Sequence, residues 1–345
     1  YGTLLSNTSG TRVFNPAAVD PVGSVSIIDV ASRSATTVSL AGALETGSNI
    51  RKNTGMNFEP EYLAVNQAGT KAYVTLQEAN AMGVLNLQTL SFEKVVGLGV
   101  KDFSLAGNFI DPKNDGAIGL ASVNAKGLYM PDGIAAYEKN GQTFLVMANE
   151  GDFREDDGDR SAAGSTFGAT GALSNLRVSN TDSSTGNLFA AGARSFSIRD
   201  ADGNLVYDSG SILDAQAIAL GIYDDGRSRD KGVEPEGVEL MTLGGKTYAF
   251  IGLERTTMAA LAVFDITDPA NSSFVTMITN AGDVSPEGLK GFSAGGHNYI
   301  AFSSEVSNTT TVMQLSAVPE PASLALLLAG LGLVGTVAAR RQRPA

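Results

Sequence analysis

Hydrophobic and polar residues follow one another in a unit that occurs four times along this chain. Each unit has a proline, an acidic residue, a short apolar run, a glycine-rich turn, a second apolar run and a closing glutamate. The proline and the closing glutamate are 18 residues apart in the first unit and 19 in the other three. The units begin at Phe58, Met130, Val233 and Val284. Short apolar runs that recur with glycine turns predict a β-propeller, in which each unit supplies the first two strands of a blade.

The other strands of a blade can also be assigned. In the clearest blade, strand A is GVELM from Gly237, strand B is KTYAFIGLE from Lys246, strand C is ALAVFDI from Ala260 and strand D is SFVTMI from Ser273. At the start of the chain only strands B, C and D can be recognised, and the last blade lacks strand D. The sequence therefore predicts an all-β propeller domain over residues 1–317, and we expect the start of that domain to be missing from it.

The lengths of the connections predict one functional face. In an up-and-down blade, the A-to-B and C-to-D turns lie at one end of the ring, and the other connections lie at the opposite end. The first set is short throughout, whereas the second set contains the long segments 8–24, 41–57, 99–129, 151–193 and 210–232. Long loops at one end of a rigid scaffold commonly carry the functional residues.

The repeat places acidic residues at this same face, because strand A begins there and strand B ends there. The eight acids expected at the mouth of the channel are Glu61, Asp132, Glu236, Glu287, Glu78, Glu150, Glu254 and Glu305. Carboxylates at such density raise one another's pKa or need cations. Oxygen ligands in an irregular arrangement favour calcium. The alternative is that these acids cap backbone N–H groups or pair with Arg194, Arg229 and Arg255.

A second calcium-like pattern lies in the segment 99–129. Asp111 and Asp115 begin a calcium-loop sequence, but Lys113 occupies a ligand position and Ser122 stands where the bidentate glutamate belongs. The pattern is therefore not an EF-hand. The two aspartates remain candidate ion ligands, and an ordinary Asp/Gly turn is the alternative.

The composition excludes several kinds of site. The net charge of −12 disfavours binding to nucleic acid and agrees with cation binding. There is no cysteine, so thiolate metal sites and catalytic cysteines are excluded. His297 is the single histidine. The repeat places His297 at the short-turn face, which leaves no histidine for a Ser-His-Asp triad. Gly330 to Gly335 match the dinucleotide fingerprint inside an apolar tail with no βαβ unit, so no nucleotide cofactor is expected.

Residues 318–345 form a separate segment. A run of 18 uncharged residues from Ala322 precedes a basic cluster. Such a run can span a bilayer as a helix, and the basic cluster favours a cytoplasmic end. A permanent single-span anchor is one interpretation. The segment also resembles the PEP-CTERM sorting signal of exopolysaccharide-producing Gram-negative bacteria, and the motif residues are Pro319, Glu320, Pro321, Arg340, Arg341 and Arg343. This resemblance implies an exosortase-type protease as partner, an inner-membrane intermediate, and a final location at the cell surface or outside the cell.

The remaining sequence resembles the choice-of-anchor I proteins, a family of bacterial surface domains. The resemblance rests on DPVGSVSIID from Asp20, EPEYLAV from Glu59, AYVTLQEANA from Ala72, PDGIAAYE from Pro131 and DDGRSRDKGVEPEGVE from Asp224. It implies a propeller that is seven-bladed at full length. Where such proteins usually carry Asn-Glu-Gly, this chain has Asn7-Thr8-Ser9, so the acid ring is expected to be incomplete there. The family offers no established catalytic residues to transfer.

Two functions remain open at this point. The first is a binding or structural module at the cell surface or in the extracellular matrix, ordered by calcium and with exopolysaccharide as an expected partner. The second is a metal-dependent phosphoesterase similar to phytase-type or alkaline-phosphatase-like propellers, in which carboxylate-bound ions bind phosphate and activate water. The scarcity of lysine at the mouth, apart from Lys101 and Lys231 in loops, disfavours the second. The sequence thus favours a non-enzymatic role without deciding it.

Overall fold

The structure is a computed structural model that describes residues 23–52, 58–153 and 159–315, together with two short strands near the start. Its helices are α1 (Ala163–Phe167) and α2 (Ile212–Ala219), with 3-10 turns at Gly171–Leu173, Asp225–Arg227 and Pro269–Asn271. Its strands, in chain order, are β1 (Leu5–Ser6), β2 (Arg12–Val13), β3 (Ser24–Asp29), β4 (Ser34–Ser39), β5 (Leu44–Ser48), β6 (Leu63–Val65), β7 (Lys71–Leu76), β8 (Ala81–Asn86), β9 (Ser91–Leu98), β10 (Val100–Asp102), β11 (Lys126–Leu128), β12 (Ile134–Lys139), β13 (Gln142–Asn149), β14 (Arg160–Ala162), β15 (Arg177–Ser179), β16 (Phe189–Ala190), β17 (Ser195–Asp200), β18 (Leu205–Asp208), β19 (Pro235–Leu243), β20 (Lys246–Leu253), β21 (Ala259–Asp265), β22 (Ser273–Asn280), β23 (Pro286–Ala294), β24 (His297–Ser304) and β25 (Thr309–Leu315).

The larger sheets are the blades of a propeller-type fold. Their strand orders are β5-β9-β8-β7-β6, β12-β13-β17-β18, β19-β20-β21-β22 and β23-β24-β25, and a smaller β3-β4 sheet precedes them. Within these sheets, neighbouring strands pair antiparallel, except that β5 runs parallel to β9. Each of the four repeat units forms the first hairpin of a different sheet, and the inner strands β6, β12, β19 and β23 lie beside one another in chain order. The predicted all-β, propeller-type fold is confirmed.

The glycine that follows the acidic residue in a unit allows neighbouring blades to approach closely. The Gly133 N–H donates a hydrogen bond of 3.1 Å to the carbonyl oxygen of Glu236 in the next blade. A Cβ atom on Gly133 would lie 2.3 Å from that oxygen, and one on Gly237 would lie 2.3 Å from the carbonyl oxygen of Glu287. A side chain cannot fit at such distances, so the Pro-acid-Gly pattern joins the start of one inner strand to the start of the next.

The apolar core lies between successive sheets. Alternation along each strand sends one set of side chains to each neighbouring blade. Leu145 and Met147 of β13 pack against Met82 and Val84 of β8. On the other side of the same sheet, Phe196 of β17 meets Phe264 of β21 edge to face, with ring centroids 4.5 Å apart. This edge-to-face packing fixes the β12-β13-β17-β18 blade against the β19-β20-β21-β22 blade.

The long connections contain more regular structure than the sequence indicates. β10 pairs with β11, and β11 pairs in parallel with β16, so the segments 99–129 and 151–193 share one small sheet. These strands have two or three residues, too few for an alternating pattern to be visible in the sequence. Arg51 also joins two connections, because its guanidinium lies 2.8 Å from Asp182 Oδ2 and 2.9 Å from Asp159 Oδ1.

The C-terminal segment expected to form a membrane helix lies outside the described residues, as do all of the predicted sorting-motif residues. Within the described ranges, no helix is both long and apolar enough to cross a membrane.

Candidate functional site: an acidic channel mouth

Strand pairing brings the two acids of each repeat unit to one end of the blade. Pro235 is paired with Leu253, so Glu236 and Glu254 follow directly at the start of β19 and the end of β20. In the preceding blade, the Asp132 N–H donates to the Ala148 carbonyl oxygen at 3.0 Å, next to the end of β13. The start of each inner strand therefore lies beside the end of its partner, as antiparallel pairing requires.

Most of the predicted acids also interact across blades. Glu150 and Glu61 raise the pKa of Asp132, after the larger effect of burial. Glu254, Glu150 and Asp132 likewise raise the pKa of Glu236. Glu287 raises the pKa of both Asp132 and Glu236. The structure therefore brings together seven of the eight predicted acids, from four blades. The eighth, Glu305, is exposed and is not among the main causes of the raised pKa values of Asp132 and Glu236.

Four of these acids have no ion pair with lysine or arginine within the described part of the chain. We call them the unpaired acids: Glu61, Glu78, Asp132 and Glu236. Burial is the largest cause of their raised pKa values, and neighbouring carboxylates add to it. The pKa of Asp132 is raised to about 8 and that of Glu236 to about 9. One oxygen of Glu236, Oε2, is buried without a hydrogen-bond partner. Ionisation of all four groups would therefore create negative charge that no lysine or arginine in the described chain compensates.

Three further carboxylates are closely packed and do have cationic partners. One oxygen each of Glu150, Glu234 and Glu254 lies within 4.8 Å of the others, and all three residues are buried. We call these three residues the paired cluster. The Lys231 ammonium lies 2.5 Å from Glu150 Oε1 and 3.0 Å from Glu234 Oε2. Burial would lower the pKa of Lys231, but Glu150 and Glu234 outweigh it and the net shift is upward, which keeps this lysine charged.

Two arginines complete the neutralisation of the paired cluster. Arg227 Nε lies 2.6 Å from Glu234 Oε1, and Arg255 Nη2 lies 2.7 Å from Glu254 Oε1. Glu234 is completely buried, yet Lys231 and Arg227 hold its pKa below the ordinary value. Glu254 keeps a pKa raised to about 7 because burial and Glu150 prevail over Arg255. Lys231, Arg227 and Arg255 therefore compensate the negative charge that the paired cluster carries at neutral pH.

Glu234 is the residue of the candidate site that the sequence analysis missed. It stands directly before the proline of its unit and has a φ of 51°, in the left-handed region. Met130 and Ser285 occupy the same position in two sister units and also have positive φ values. Glu59 occupies that position in the first unit and hydrogen-bonds the Glu78 carboxyl group. In the sequence, a glutamate stands directly before the proline in two of the four units, and this was the signal that pointed to Glu234.

The candidate arginines behave differently from one another. Arg255 pairs with Glu254 at the mouth. Arg194 is buried and instead donates to the carbonyl oxygens of Asp111 and Ser228 at 3.0 and 2.6 Å. Arg229 has no ion pair among the described residues. The expected pairing with the acid ring thus holds for one arginine of the three.

The second predicted ion ligand pair is occupied by contacts within its own loop. Asp111 is buried, and its two carboxylate oxygens accept from the N–H groups of Lys113 and Gly119 at 3.2 and 3.1 Å. Asp115 is exposed and pairs with Lys113. Within the described chain, the mouth acids therefore give the better arrangement for binding a cation. Clustered carboxylate oxygens are suitable ligands for hard divalent ions.

Comparison with known sequences identifies both parts of the chain. The profile of the choice-of-anchor I domain matches residues 4–269, which is more than half of the chain. The profile of the PEP-CTERM protein-sorting motif matches residues 317–343. No protein of curated function matches the sequence significantly. The sorting motif marks the protein for export to the cell surface in Gram-negative bacteria, with processing by an exosortase.

Solved structures show only distant similarity. Hydrazine synthase of Kuenenia stuttgartiensis is 13% identical, with a TM-score of 0.32 over 84% of this chain and 70% of that one. A chain of the nidogen/laminin complex is 12% identical, with a TM-score of 0.36 over 90% of this chain and 84% of that one. Similarities at this level support no conclusion about function.

Proposed function

Because the chain belongs to the choice-of-anchor I family and carries a PEP-CTERM sorting motif, we propose that it is a surface binding module whose acidic channel mouth binds divalent cations. Calcium is the proposed ion, and the unpaired acids are its proposed ligands. No three of their carboxylates lie within 4.8 Å of one another in the described chain, so these side chains would have to converge on the ion when it binds. The bound ion orders the long connections at that face, through which the protein contacts the extracellular matrix. Before processing, the apolar run from Ala322 holds the protein in the inner membrane.

One observation carries this proposal. Asp132 and Glu236 are largely buried, lie among other carboxylates, and have no lysine or arginine within ion-pair distance in the described residues. Burying several like charges without a partner is costly, and a bound cation removes that cost. Calcium suits the site better than magnesium because it accepts six to eight oxygen ligands in irregular geometry, whereas magnesium requires a near-ideal octahedron.

An exopolysaccharide is the proposed matrix partner. Calcium held by the mouth acids would retain free coordination positions, which carboxylate or hydroxyl groups of a polysaccharide can fill. The long connections surround this mouth and supply further polar contacts. The partner is thus proposed to bind through the ion, and removal of calcium should release it.

The alternative phosphoesterase has less support. Lys231 does lie at the mouth, where a phosphate-binding cation would be useful. Its ammonium is already engaged by Glu150 and Glu234 at 2.5 and 3.0 Å. It is therefore not available to a phosphate group. A phosphatase and phytase assay with and without calcium separates the two functions, and we expect no calcium-dependent hydrolysis.

Calorimetric titration of calcium into the metal-free protein tests the proposed site. Glu236→Gln removes one unpaired acid and should weaken binding about tenfold or more, which corresponds to about 1.4 kcal/mol. Glu305→Gln is the matched control, because Glu305 closes its unit in the same way but is exposed and outside the group of interacting acids. Equal affinities for both variants and the parent protein would remove the mouth as the binding site.

A further inference from the structure

We propose that the Lys231 ammonium is a built-in cation that occupies the paired cluster and excludes divalent ions from it. The part of the mouth that is open to metal is then confined to the unpaired acids. The occupation of the paired cluster follows from its own geometry. Only the confinement of the metal to the unpaired acids rests on the proposed function.

The geometry of the paired cluster resembles a ligand set whose centre is filled. Oxygens that surround a calcium ion at 2.3–2.6 Å lie at most about 5 Å apart. The oxygens of Glu150, Glu234 and Glu254 satisfy this limit, since they lie within 4.8 Å of one another. The Lys231 nitrogen touches two of these residues, and Asp152 Oδ1 is 3.9 Å away. A divalent ion could enter only if this ammonium left.

The charge balance explains why the ammonium stays. Four carboxylates, those of the paired cluster and Asp152, face three cations, which are Lys231, Arg227 and Arg255. With all four carboxyl groups ionised, one negative charge remains in excess. Loss of Lys231 would leave two, which one calcium ion would neutralise. A compact ammonium on a flexible stem suits this position better than a planar guanidinium, because it acts as a point charge.

The chain offers a matched control in Lys101. Lys101 is 4% exposed and Lys231 is 6% exposed, so both are buried lysines. Lys101 pairs with Asp208 at 2.7 Å and donates to the Gly210 carbonyl oxygen at 2.8 Å. Within the described residues, Glu150, Glu234 and Glu254 form the one group of three carboxylates close enough to share an ion, and Lys101 does not contact it. Its loss therefore leaves a buried charge without creating a metal site.

The experiment compares Lys231→Met and Lys101→Met in the full chain by thermal melting, with EDTA and with millimolar calcium. Both substitutions should lower the melting temperature in EDTA, since each leaves a buried carboxylate without its partner. Calcium should raise the melting temperature of Lys231→Met by more than it raises that of the parent protein. For Lys101→Met, the gain should equal the parent's gain, because ligand binding stabilises only where a site exists.

The outcomes are separable from those of the proposed function. Absence of a calcium gain in the parent protein removes the proposed function, whereas an added gain in Lys231→Met still supports the built-in cation. A variant that folds only in calcium gives the same support. Equal gains in Lys231→Met and Lys101→Met, or a Lys231→Met chain that stays unfolded in both conditions while Lys101→Met folds, overturn the inference.

A second variant keeps Lys231 in place. Glu254→Gln removes a carboxylate of the paired cluster, so it should leave the parent's calcium affinity within about twofold, whereas Glu236→Gln weakens it. If Glu254→Gln weakens calcium binding as much as Glu236→Gln does, the ion enters the paired cluster and the inference fails.

Discussion

The paired cluster and the unpaired acids share one channel mouth but differ in where their counter-charges come from. The unpaired acids belong to the repeat, which places a carboxylate at each blade and supplies no cation. Glu234, in contrast, pairs with Lys231 and Arg227, which both come from the long connection 210–232 that precedes β19. The comparison shows that most of the charge compensation comes from one connection. Lys231 of that connection reaches Glu150 of the preceding blade, whereas Glu236, at the start of the strand that follows the connection, has no cationic partner among the described residues.

The strongest test of this difference uses two neighbouring glutamates. Glu234→Gln should destabilise the metal-free protein by about 3–5 kcal/mol, because it leaves Lys231 and Arg227 with less compensation in a buried site. Glu236→Gln, two residues away, should leave stability unchanged or raise it at pH 7.5, because it removes a carboxyl group whose ionisation in this site is unfavourable. Urea denaturation in EDTA measures both free energies of unfolding.

The two substitutions exchange a carboxylate for an amide of the same shape, so packing is held constant. Destabilisation of similar size in both variants would mean that Glu236 has a stabilising partner after all. The distinction between paired and unpaired acids would then be lost.

A smaller effect is expected from altering the spacing of the unpaired acids without changing charge. In Gly237→Ala, the new Cβ would lie 2.3 Å from the Glu287 carbonyl oxygen, so the two inner strands must separate next to Glu236. Such overpacking should cost about 1–3 kcal/mol in the free energy of unfolding. Gly288→Ala is the matched control, since its Cβ would meet only the Ser303 hydroxyl at 2.9 Å. A cost for Gly288→Ala equal to that of Gly237→Ala would show that the close approach of blades is not responsible.

The repeat made much of this fold accessible from the sequence. Strands B, C and D of the blade β19-β20-β21-β22 were expected to begin at Lys246, Ala260 and Ser273. They begin at Lys246, Ala259 and Ser273. Strong alternation of apolar residues and glycine turns specify such strands locally. The position of the repeat acids at one end follows from antiparallel pairing, which needs no knowledge of tertiary contacts.

The contacts between connections were beyond the sequence. Lys231 was recognised as a loop lysine near the acids, but nothing in its surroundings indicates that it reaches Glu150, 81 residues earlier in the chain. Arg194 was expected among the acids and instead binds backbone carbonyl groups. This arrangement depends on how two long connections pack against each other. β5 was hidden for the same reason, because its pairing with β9 depends on a distant strand.

We propose that the unpaired acids repel one another when they are ionised and that a cation can neutralise them. In the folded protein, the pKa of Asp132 is raised to about 8 and that of Glu236 to about 9, from ordinary values of 3.8 and 4.5. A carboxyl group with a raised pKa binds more protons in the folded than in the unfolded state. Its contribution to stability is therefore complete below the unfolded-state pKa and is lost as the pH rises through the folded-state pKa.

The most direct measurement is the free energy of unfolding from pH 5 to pH 9, in EDTA and in millimolar calcium. We expect a progressive loss of stability with rising pH in EDTA, and we expect calcium to abolish most of that loss above pH 7, because it binds the folded state with its acids ionised. A profile that is flat in EDTA and unchanged by calcium would contradict the account, because the mouth acids would then have partners that make a cation unnecessary.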